Sequence, residues 1–475
     1  MNKKTFEDFN LNPSIIKSVK LLGYDTPYPV QAEVIPIALE GKDIIAKAQT
    51  GSGKTAAFAI PILENLQVEE NAVQALVLTP TRELAVQVAE SFSTLGLYKR
   101  INAVSIYGKQ PMTIQKTKLS QRVHVVVGTP GRTIDHINNG TLNLDHIRYL
   151  VIDEADEMLN MGFLDQVEAI IKRVPKARQT LMFSATLSEE IQQHIVTYMK
   201  SPQVIQITPK ELTVEKINQR CYFVSDNDKY KLLQDLIVVE SMEKCILFCR
   251  TKKNVIELAS KMRASNYSVT EIHGDMLQQD RLKAMKSFKQ GEYTFIVATD
   301  VASRGIDVTG VSHVINYDIP LELEAYVHRI GRTGRAGNFG EAITFVTPYE
   351  DKFLKSIEEF IGLQIPRANA PTEKDLEKAP KILEKPIITK TPTTPSQVLK
   401  LYINAGKKKK IRRGDILGAL VNSGNIPSES IGVIEVFDNY SHAHILNGDG
   451  TKLLKAMKEI NLKGKSVKIE KAREK

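Results

Sequence analysis

Short apolar segments rich in β-branched residues recur along the chain and alternate with stretches of helical periodicity. In the first part these segments are DIIAKA (43–48), ALVLTP (75–80), HVVVGTP (124–130), YLVIDEAD (149–156) and TLMFSAT (180–186). The pattern starts again further on, with segments at 219–224, 244–250, 294–300, 313–320 and 341–346. Continuous apolar strands that alternate with helices are typical of parallel sheets covered on both faces. The chain therefore predicts two tandem α/β domains, each built on a parallel sheet.

The remaining segments set the domain boundaries. Strand patterning lapses near residues 208–216, so we assign the first domain to 1–208 and the second to 216–365. Residues 366–395 hold six of the chain's twenty prolines, which predicts an extended linker over 366–397. Residues 398–475 alternate as βαββαβ, with helices expected at 411–423 and 451–460. This order is typical of a small α+β domain in which two helices back one sheet.

The positive charge of the chain is concentrated at its C-terminal end. Residues 398–475 carry 16 Lys and Arg against 8 Asp and Glu, a net charge of +8, whereas the other residues sum to +1. Such a concentration indicates a partner that is a polyanion. The composition, with 42% hydrophobic and 25% charged residues, is that of an ordinary water-soluble globular protein.

Several classes of protein are not supported by the sequence. The three cysteines, Cys221, Cys245 and Cys249, lack paired CxxC spacing, so we expect neither a disulfide framework nor a zinc site. The N-terminus has no apolar signal segment, and no run approaches the roughly 18 apolar residues that cross a bilayer. We therefore expect a cytoplasmic protein without a membrane partner.

A phosphate-binding motif, AQTGSGKT (48–55), begins at the end of the first apolar segment. Its glycines let backbone N–H groups surround phosphate oxygens at the start of a helix, where the helix dipole favours anions. The Lys54 amine is then expected to reach the β- and γ-phosphates, and the Thr55 hydroxyl to contact Mg²⁺. The alternative is a glycine-rich turn without a ligand. The candidate nucleotide residues are Ala48, Gln49, Thr50, Gly51, Ser52, Gly53, Lys54 and Thr55.

Two acidic residues follow the strand predicted at 149–153. Asp153 is placed to hold Mg²⁺ partly through water, and Glu154 to polarise an attacking water as a general base. Alternatively, these acids simply begin the next helix, where negative charge is favourable. Because Lys54 is expected on a neighbouring strand, we favour the catalytic interpretation.

An arginine-rich motif, HRIGRTGR (328–335), lies about 280 residues beyond Lys54. Arg332 and Arg335 would share one face if this segment were helical, and arginines of this kind stabilise a transferring γ-phosphoryl group. His328 is expected to link the γ-phosphate to neighbouring groups. The alternative is a basic loop that contacts solvent or structural acids. If the catalytic interpretation holds, hydrolysis needs residues from both α/β domains.

Together, AQTGSGKT (48–55), DEAD (153–156), SAT (184–186) and HRIGRTGR resemble, in this order, the DEAD-box RNA helicases. The resemblance covers roughly residues 1–365 and implies two RecA-like domains, ATP and Mg²⁺ as cofactors, RNA-stimulated ATPase activity and no DNA partner. GYDTPYPVQ (23–31) resembles the adenine-reading motif of the family, in which Gln31 would bind adenine and Phe6 would stack on it. For Phe6 a hydrophobic packing role before a helix is the alternative.

The resemblance also implies roles for further residues. Ser184 and Thr186 would contact the acidic residues of the DEAD segment and so couple hydrolysis to strand separation. Gly305 and Asp307 would contact the nucleotide. Lys109 and Arg250 depart from the family pattern, so the resemblance supports RNA contacts at these two residues less strongly than at the matching positions. The implied RNA-backbone residues are Pro80, Thr81, Arg82, Gly108, Thr129, Pro130, Arg132, Gln278, Arg281 and Thr299.

With LYINAGKKKKIRRGD (401–415) and HILNGDG (444–450), residues 398–475 resemble an RNA-recognition module (RRM) and also the C-terminal domain of the bacterial DbpA/YxiN type of DEAD-box helicase. Tyr402 is a candidate stacking ring on the first strand, although the third strand, within NYSHAHIL (439–446), lacks the usual spaced aromatics. The cations expected to bind RNA are Lys407, Lys408, Lys409, Lys410, Arg412 and Arg413. The resemblance implies binding to a 23S ribosomal RNA hairpin and a role in large-subunit assembly. A helicase acting on messenger RNA and a non-hydrolysing RNA clamp are the alternatives.

Overall fold

The computed structural model describes residues 4–48, 52–184, 186–206, 217–300, 308, 310–334, 339–378 and 398–472. Its contacts divide the chain into two compact units. One unit contains the first α/β domain together with the C-terminal domain, and the other contains the second α/β domain. The seam expected near 208–216 lies outside the described residues.

The first α/β domain is built on a parallel sheet, as predicted. Its strands are β1 (Ile44–Lys47), β2 (Ala75–Leu78), β3 (Ala103–Ile106), β4 (Val125–Gly128), β5 (Tyr149–Asp153), β6 (Gln179–Ser184) and β7 (Gln203–Gln206). They lie in the order β3-β4-β2-β5-β6-β1-β7, and each neighbouring pair is parallel. Separate apolar clusters cover the two faces. β3 and β7, at the two sheet edges, did not stand out in the sequence.

Helices cover this sheet and carry its motifs. A 3₁₀ turn (Phe6–Phe9) precedes the first helix, and another (Val196–Tyr198) precedes β7. The α-helices are α1 (Pro13–Leu21), α2 (Pro29–Leu39), α3 (Lys54–Asn65), α4 (Arg82–Leu95), α5 (Met112–Leu119), α6 (Pro130–Asn138), α7 (Ala155–Asn160), α8 (Leu164–Ile171) and α9 (Glu189–His194). Because α3, α4 and α6 each begin directly after a strand, their N-termini lie along the carboxyl edge of the sheet.

The second α/β domain repeats the architecture. Its strands are β8 (Ile217–Phe223), β9 (Cys245–Phe248), β10 (Val269–Ile272), β11 (Phe295–Ala298), β12 (His313–Asn316) and β13 (Gly340–Val346). They form a parallel sheet in the order β10-β11-β9-β12-β13-β8. The described helices are α10 (Lys229–Glu240), α11 (Lys252–Ala264), α12 (Gln278–Lys289), α13 (Leu323–Ile330), α14 (Asp351–Ile361) and α15 (Glu373–Lys378).

The beginning of the predicted linker belongs to the second domain. The Cys221 N–H donates to the Pro366 carbonyl, and the Ala368 N–H donates to the Cys221 carbonyl, both at 2.9 Å. These bonds extend the edge of the sheet beyond the boundary expected at residue 365. The rest of the predicted linker, from residue 379, lies outside the described residues.

The C-terminal domain is a small α+β fold with one strand more than predicted. Its strands are β14 (Leu399–Ile403), β15 (Ile431–Val436), β16 (Ser441–Ile445), β17 (Glu459–Leu462) and β18 (Lys465–Lys471). They form an antiparallel sheet in the order β15-β16-β14-β18-β17. Its α-helices are α16 (Arg413–Asn422) and α17 (Asp449–Ala456), with 3₁₀ turns at Lys407–Lys409 and Ser428–Ser430.

The second helix of this domain was predicted too long. It ends at Ala456, and residues 459–462 form β17, which pairs with β18 in a hairpin. The connecting Lys463 and Gly464 both have positive φ, at 51° and 79°. Two such residues in succession are typical of the tight turns that join antiparallel strands.

Among the described residues of the whole chain, none of the helices has the length and apolarity to cross a bilayer.

Candidate nucleotide and RNA sites

The loop between β1 and α3 is held against α2 by Gln31. The Gln31 Nε2 amide donates to the Gly53 carbonyl at 3.1 Å, and its Oε1 accepts from the Tyr28 N–H at 2.9 Å. Gly53 has φ of +90°, and an added Cβ would lie 2.7 Å from the Gln31 side chain. Only glycine fits this approach without displacing Gln31. The residue expected to bind adenine therefore also fixes the phosphate-binding loop.

Lys54 and Asp153 converge at the carboxyl edge of the first sheet. The Lys54 Nζ lies 3.9 Å from the Asp153 Oδ1, and both side chains are buried. The sequence suggested neighbouring strands, but Lys54 begins α3 after β1, and β6 runs between β1 and β5. This order places the end of β6, which carries Ser184, between the ends of β1 and β5.

Asp153 has the features of a carboxylate that receives a cation. Its Oδ1 is buried and has no hydrogen-bond partner among the described residues. Burial raises the pKa of Asp153 to about 7, and the nearby Lys54 only partly opposes this effect. An ion such as Mg²⁺ would favour the charged carboxylate. Because Mg²⁺ usually combines one or two carboxylates with water and substrate phosphates, the residues present fit this metal.

The SAT segment contacts the DEAD segment through one of its two hydroxyls. The Ser184 Oγ accepts a hydrogen bond from the Asp156 N–H at 3.2 Å, and the Ser184 carbonyl accepts one from the Ala48 N–H at 3.2 Å. Ser184 thus joins the acidic segment to the end of β1. Thr186 was expected to reach the same acids, but it is exposed and forms no hydrogen bond with the described residues.

Glu154 adopts the left-handed backbone conformation, with φ of 56° and ψ of 55°. This conformation is uncommon for residues other than glycine and costs about 1–3 kcal/mol. Glu154 precedes α7 and is buried, with 6% of its surface exposed. The conformation turns the chain sharply at the end of β5, directly beside Asp153.

Phe6 is part of the hydrophobic core. Only 3% of its surface is exposed, and its ring stacks on Tyr24 with the centroids 6.4 Å apart. The Phe9 ring contacts the Phe6 ring edge to face, with the centroids 6.0 Å apart. The structure therefore shows the packing role that the sequence left open, and stacking on adenine remains a prediction.

The three segments expected to contact RNA in the first domain follow neighbouring strands. Residues 80–82 follow β2, Gly108 follows β3, and residues 129–132 follow β4, and these strands are adjacent in the sheet. A Cβ on Gly108 would lie 3.8 Å from the Arg82 guanidinium, and Arg132 donates to the Gln110 carbonyl at 2.9 Å. The candidate RNA residues of this domain thus lie along one edge.

The corresponding residues of the second domain also follow neighbouring strands. Gln278 and Arg281 begin α12, which comes after β10, and Thr299 follows β11. β10 and β11 are paired, so these residues lie at one end of the sheet. Arg250, by contrast, donates to the Glu350 carboxylate at 2.5 Å, consistent with its departure from the family pattern.

The arginine-rich segment is helical only in part. α13 contains His328 and ends at Ile330, and Gly331 caps it. Arg332 lies beyond the helix in a turn and is 5% exposed. Arg332 is therefore not helical, so the condition under which it would share a helical face with Arg335 is not met at this residue, and Arg335 lies outside the described residues. The glycines at 331 and 334, the latter with φ of +66°, favour this end of the helix.

Arg329 is a further buried residue of this segment, which the sequence analysis did not single out. Its guanidinium forms a bidentate ion pair with Asp300, with bonds of 2.5 and 2.7 Å, and donates to the Asp318 carbonyl at 2.7 Å. Phe248 lies below it, 5.1 Å from ring centroid to guanidinium carbon. Arg329 thus links the arginine-rich segment to the ends of three neighbouring strands. The sequence signal that could have identified Arg329 is a basic residue directly after His328.

The C-terminal domain combines aromatic rings with exposed cations. Tyr402 stacks on Tyr440 at 5.4 Å, and Tyr440 stacks on Phe437 at 4.7 Å. The turn that carries Lys407–Lys409 is bonded to the same loop, because the Lys407 N–H donates to the Phe437 carbonyl at 2.8 Å. The sequence analysis identified Tyr402 but missed Phe437 and Tyr440, which precede the third strand. Lys407–Lys410 and Arg412 are exposed, whereas Arg413 is half-buried.

Six of the candidate residues lie outside the described part of the chain. They are Gln49, Thr50, Gly51, Gly305, Asp307 and Arg335.

Three family models match the chain, one for each domain. The model described as DEAD/DEAH box helicase matches residues 28–194, and the helicase conserved C-terminal domain matches residues 228–337. The DbpA RNA binding domain matches residues 400–471.

Similar proteins cover either nearly the whole chain or about three quarters of it. The ATP-dependent RNA helicase DbpA of Bacillus subtilis is 48% identical over 98% of this chain and 99% of its own length. The helicase CshA of Geobacillus kaustophilus is 47% identical over 78% of this chain and 79% of its own length.

Solved structures show the same architecture. Yeast Dbp5 bound to RNA and ADP BeF3 superposes with a TM-score of 0.71 and 30% identity, over 79% of this chain and 98% of its own. Mss116p bound to single-stranded RNA and AMP-PNP gives a TM-score of 0.70 and 28% identity, over 79% of this chain and 81% of its own. The chain therefore belongs to the DEAD-box ATP-dependent RNA helicases, and within them to the DbpA-like members with a C-terminal RNA-binding domain.

Proposed function

We propose that this helicase uses ATP hydrolysis to open short duplexes in 23S ribosomal RNA during assembly of the large ribosomal subunit, in the cytoplasm. The observation that carries the proposal is the C-terminal domain, because it matches the DbpA RNA binding domain and contains most of the chain's net charge. The match to the CshA helicase of Geobacillus kaustophilus covers only 78% of this chain, whereas the match to Bacillus subtilis DbpA covers 98% of it.

In the nucleotide site, each buried group has a distinct role in the proposal. Lys54 would bind the β- and γ-phosphates, and Glu154 would accept a proton from the attacking water. Thr55 and Asp153 would hold Mg²⁺, the latter partly through water, and the bound ion would neutralise charge on the phosphates. Gln31 would carry adenine recognition to the phosphate-binding loop through its bond to Gly53.

The second domain would supply the groups that complete hydrolysis. Arg332 and Arg335 would stabilise the transferring phosphoryl group, and His328 would orient the groups around it. Arg329 would act as a positioning residue, because its bonds to Asp300 and Asp318 fix the start of the arginine turn. Gly305 and Asp307 would contact the nucleotide.

The RNA contacts of the α/β domains would be independent of sequence. Hydroxyls, arginines and helix N-termini bind phosphate and sugar without reading base edges. Specificity would then come from the C-terminal domain, whose rings of Tyr402, Phe437 and Tyr440 offer stacking surfaces beside a lysine-rich turn. Holding one hairpin would raise the effective concentration of the helicase domains at a nearby duplex.

Deleting residues 398–475 tests this division of labour. We expect the shortened chain to retain ATPase activity with saturating generic RNA, and to lose the activation by low concentrations of 23S hairpin RNA that the full chain shows. ATP hydrolysis is measured against the concentration of a 23S fragment and of a scrambled hairpin. An equal preference in both chains would contradict the role of the C-terminal domain.

A separate measurement identifies the biological substrate. Crosslinking the full chain in cells and sequencing the attached RNA should enrich 23S fragments from large-subunit precursors. Enrichment of messenger RNA instead would support the alternative of a helicase that remodels messenger RNA.

A further inference from the structure

The C-terminal domain contacts the first α/β domain directly. The Tyr98 hydroxyl bonds to the Asn447 side chain at 3.0 Å, and the Val436 N–H donates to the Gln121 Oε1 at 3.1 Å. The Arg100 guanidinium donates to the carbonyls of Ile431 at 2.9 Å and Ser428 at 2.5 Å. Two of these four bonds end on main-chain carbonyls, so polar contacts fix the position of the domain.

The contact lies at the opposite end of the strands from the candidate RNA residues. Arg100 precedes β3 and Gln121 precedes β4, whereas Gly108 and Thr129 follow these strands. A strand of four residues spans about 13 Å. The contact is therefore not part of the edge that is expected to bind nucleotide and RNA.

A cavity of about 270 Å³ lies within this contact. Its polar lining combines Glu69, Arg100, Asn102, Arg122 and His124 of the first domain with Arg413 of the C-terminal domain. Gly414, in the first turn of α16, also lines it, so the positive end of the helix dipole adds to the arginine charges. The volume accommodates a phosphate group together with several waters of about 30 Å³ each.

The charges around the cavity are poorly compensated. The Arg122 Nε is buried without a hydrogen-bond partner, and Arg413 forms no hydrogen bond or ion pair with the described residues. Burial, and then the charge of Arg122, lower the pKa of Arg413, and the Glu435 carboxylate only partly opposes this effect. The Glu69 carboxylate lies 3.4 Å from Arg122, but 93% of its side chain is exposed, so its compensation is weak.

His124 does not add charge to this site near neutral pH. Its Nδ1 accepts from the Asn102 N–H at 3.0 Å, and its Nε2 lies 3.0 Å from the Val68 carbonyl, to which it donates in the neutral form. Burial lowers the pKa of His124 to about 4. The ring therefore lines the cavity without charge, and the positive charge that would bind an anion comes from the arginines.

We propose that this cavity binds a phosphate group, and that the bound phosphate joins the C-terminal domain to the first α/β domain. An anion would accept from the unpaired Arg122 Nε and from Arg413, and would relieve the repulsion between the two arginines. The site takes either a phosphodiester of RNA or a free phosphate ion, since both present the same oxygens. Binding of the C-terminal domain to the first domain then depends on the anion present.

Energy transfer between two dyes tests this dependence in the full chain. One dye is attached after Thr117→Cys on α5 and the other after Lys455→Cys on α17, both at exposed positions. The native cysteines are buried and are poor labelling sites. Inorganic phosphate is titrated at constant ionic strength against potassium chloride. We expect a saturable rise in transfer with phosphate and none with chloride.

Arg122→Gln should weaken the phosphate response at least tenfold. The matched control, Lys118→Gln, removes one exposed charge from the neighbouring helix and should titrate like the unchanged protein. Arg413→Gln provides the same test from the other side of the cavity if Arg122→Gln fails to fold by circular dichroism. An equal response to chloride, or an unchanged response in the folded arginine variant, would overturn the proposal.

A second arm identifies the source of the phosphate group. A short single-stranded oligouridine that raises transfer in the unchanged protein, but not in Arg122→Gln, assigns the site to the RNA backbone. If only inorganic phosphate acts, the site belongs to the free ion. Neither arm contains ATP or the 23S hairpin, so failure here leaves the tests of the proposed function intact.

Discussion

Lys54, Asp153 and Ser184 come together because β1, β6 and β5 lie side by side in the sheet. The roles of the lysine and the carboxylate were predicted from residue type and position at strand ends. Their separation by β6 was not, because a motif identifies the end of a strand but not its neighbours. The strand order explains why Ser184 can bond to both Ala48 and Asp156.

Replacing Arg335 by Ala should abolish RNA-stimulated ATP hydrolysis while nucleotide binding persists. Arginines that stabilise a transferring phosphoryl group contribute about 10³–10⁵ in rate, because their interaction is strongest in the transition state. Phosphate release gives the rate, and a fluorescent ATP analogue gives the affinity. Arg263→Ala, an exposed arginine of α11, is the control and should keep full activity. Full turnover by Arg335→Ala would refute the role.

His124 should make folding stability depend on pH. Its pKa is lowered to about 4, below the ordinary 6.5, so the unfolded chain binds a proton first as pH falls. Stability contributed by the neutral ring is present above pH 6.5 and decreases as pH falls toward 4. The charged groups facing the ring are Arg122, Arg413 and Glu69.

His124→Asn should remove about 1–3 kcal/mol of this pH dependence, since the asparagine oxygen can accept from the Asn102 N–H but does not titrate. Thermal midpoints between pH 4.5 and 8, followed by circular dichroism, measure the effect. His146→Asn changes a more exposed histidine and is the control. A slope that is the same in His124→Asn and the unchanged protein would contradict the assignment.

Residues that act through tertiary contacts were the ones missed in the sequence. Arg329 stands within a recognised segment, yet its role depends on Asp300 and Asp318, which only the sheet brings to it. Tyr440 lies in a turn, and its stacking on Tyr402 depends on the pairing of β14 with β16. Residue type predicted the chemistry, whereas the partners required the fold.

Among the elements of the two α/β domains, the buried central strands and the edge strand β8 were predicted, whereas the edge strands β3, β7 and β10 were not. β2, β4 and β9 are apolar throughout because helices cover both faces. β3 and β10 are partly exposed and contain polar residues, so their four-residue segments resemble loops in the sequence. The helix expected at 451–460 ended early because the turn at residues 463–464 draws the preceding residues into a hairpin.

Gly406 joins the lysine-rich turn to the aromatic loop of the C-terminal domain. A Cβ at this position would lie 2.1 Å from the Phe437 carbonyl and 2.7 Å from the Asp438 carbonyl. Gly406→Ala should therefore separate the two loops and weaken hairpin RNA binding by about tenfold or more. A backbone clash of this kind also costs about 1–3 kcal/mol of stability.

Gly418→Ala is the matched control, because an added Cβ there meets nothing within 4 Å. Binding of a labelled 23S hairpin is measured by anisotropy, and ATP hydrolysis with saturating generic RNA shows whether the α/β domains are intact. Gly406→Ala should retain that activity. Unchanged hairpin affinity would show that the apposed loops do not form the binding surface.

Across the whole molecule, three domains were predicted because their patterns differ: two runs of apolar strands and a short, strongly basic α+β segment. The contact of the C-terminal domain with the first domain was not predictable from these patterns. It uses main-chain carbonyls and single polar side chains, such as Arg100 and Gln121, which look like ordinary surface residues in a sequence.

ATP and RNA should strengthen each other's binding by one common factor. In the proposed function the nucleotide groups come from both α/β domains, and so do the RNA groups, so each ligand would favour the state in which both sets are engaged. Linkage then requires equal coupling in both directions, typically 5- to 150-fold, or about 1–3 kcal/mol. Single-stranded RNA affinity with and without a non-hydrolysable ATP analogue, and analogue affinity with and without RNA, give the two factors. Single-stranded DNA of equal length is the control and should give no coupling. A factor of one with RNA would show that the two ligands bind independently, and the helicase would then lack the link between hydrolysis and strand opening.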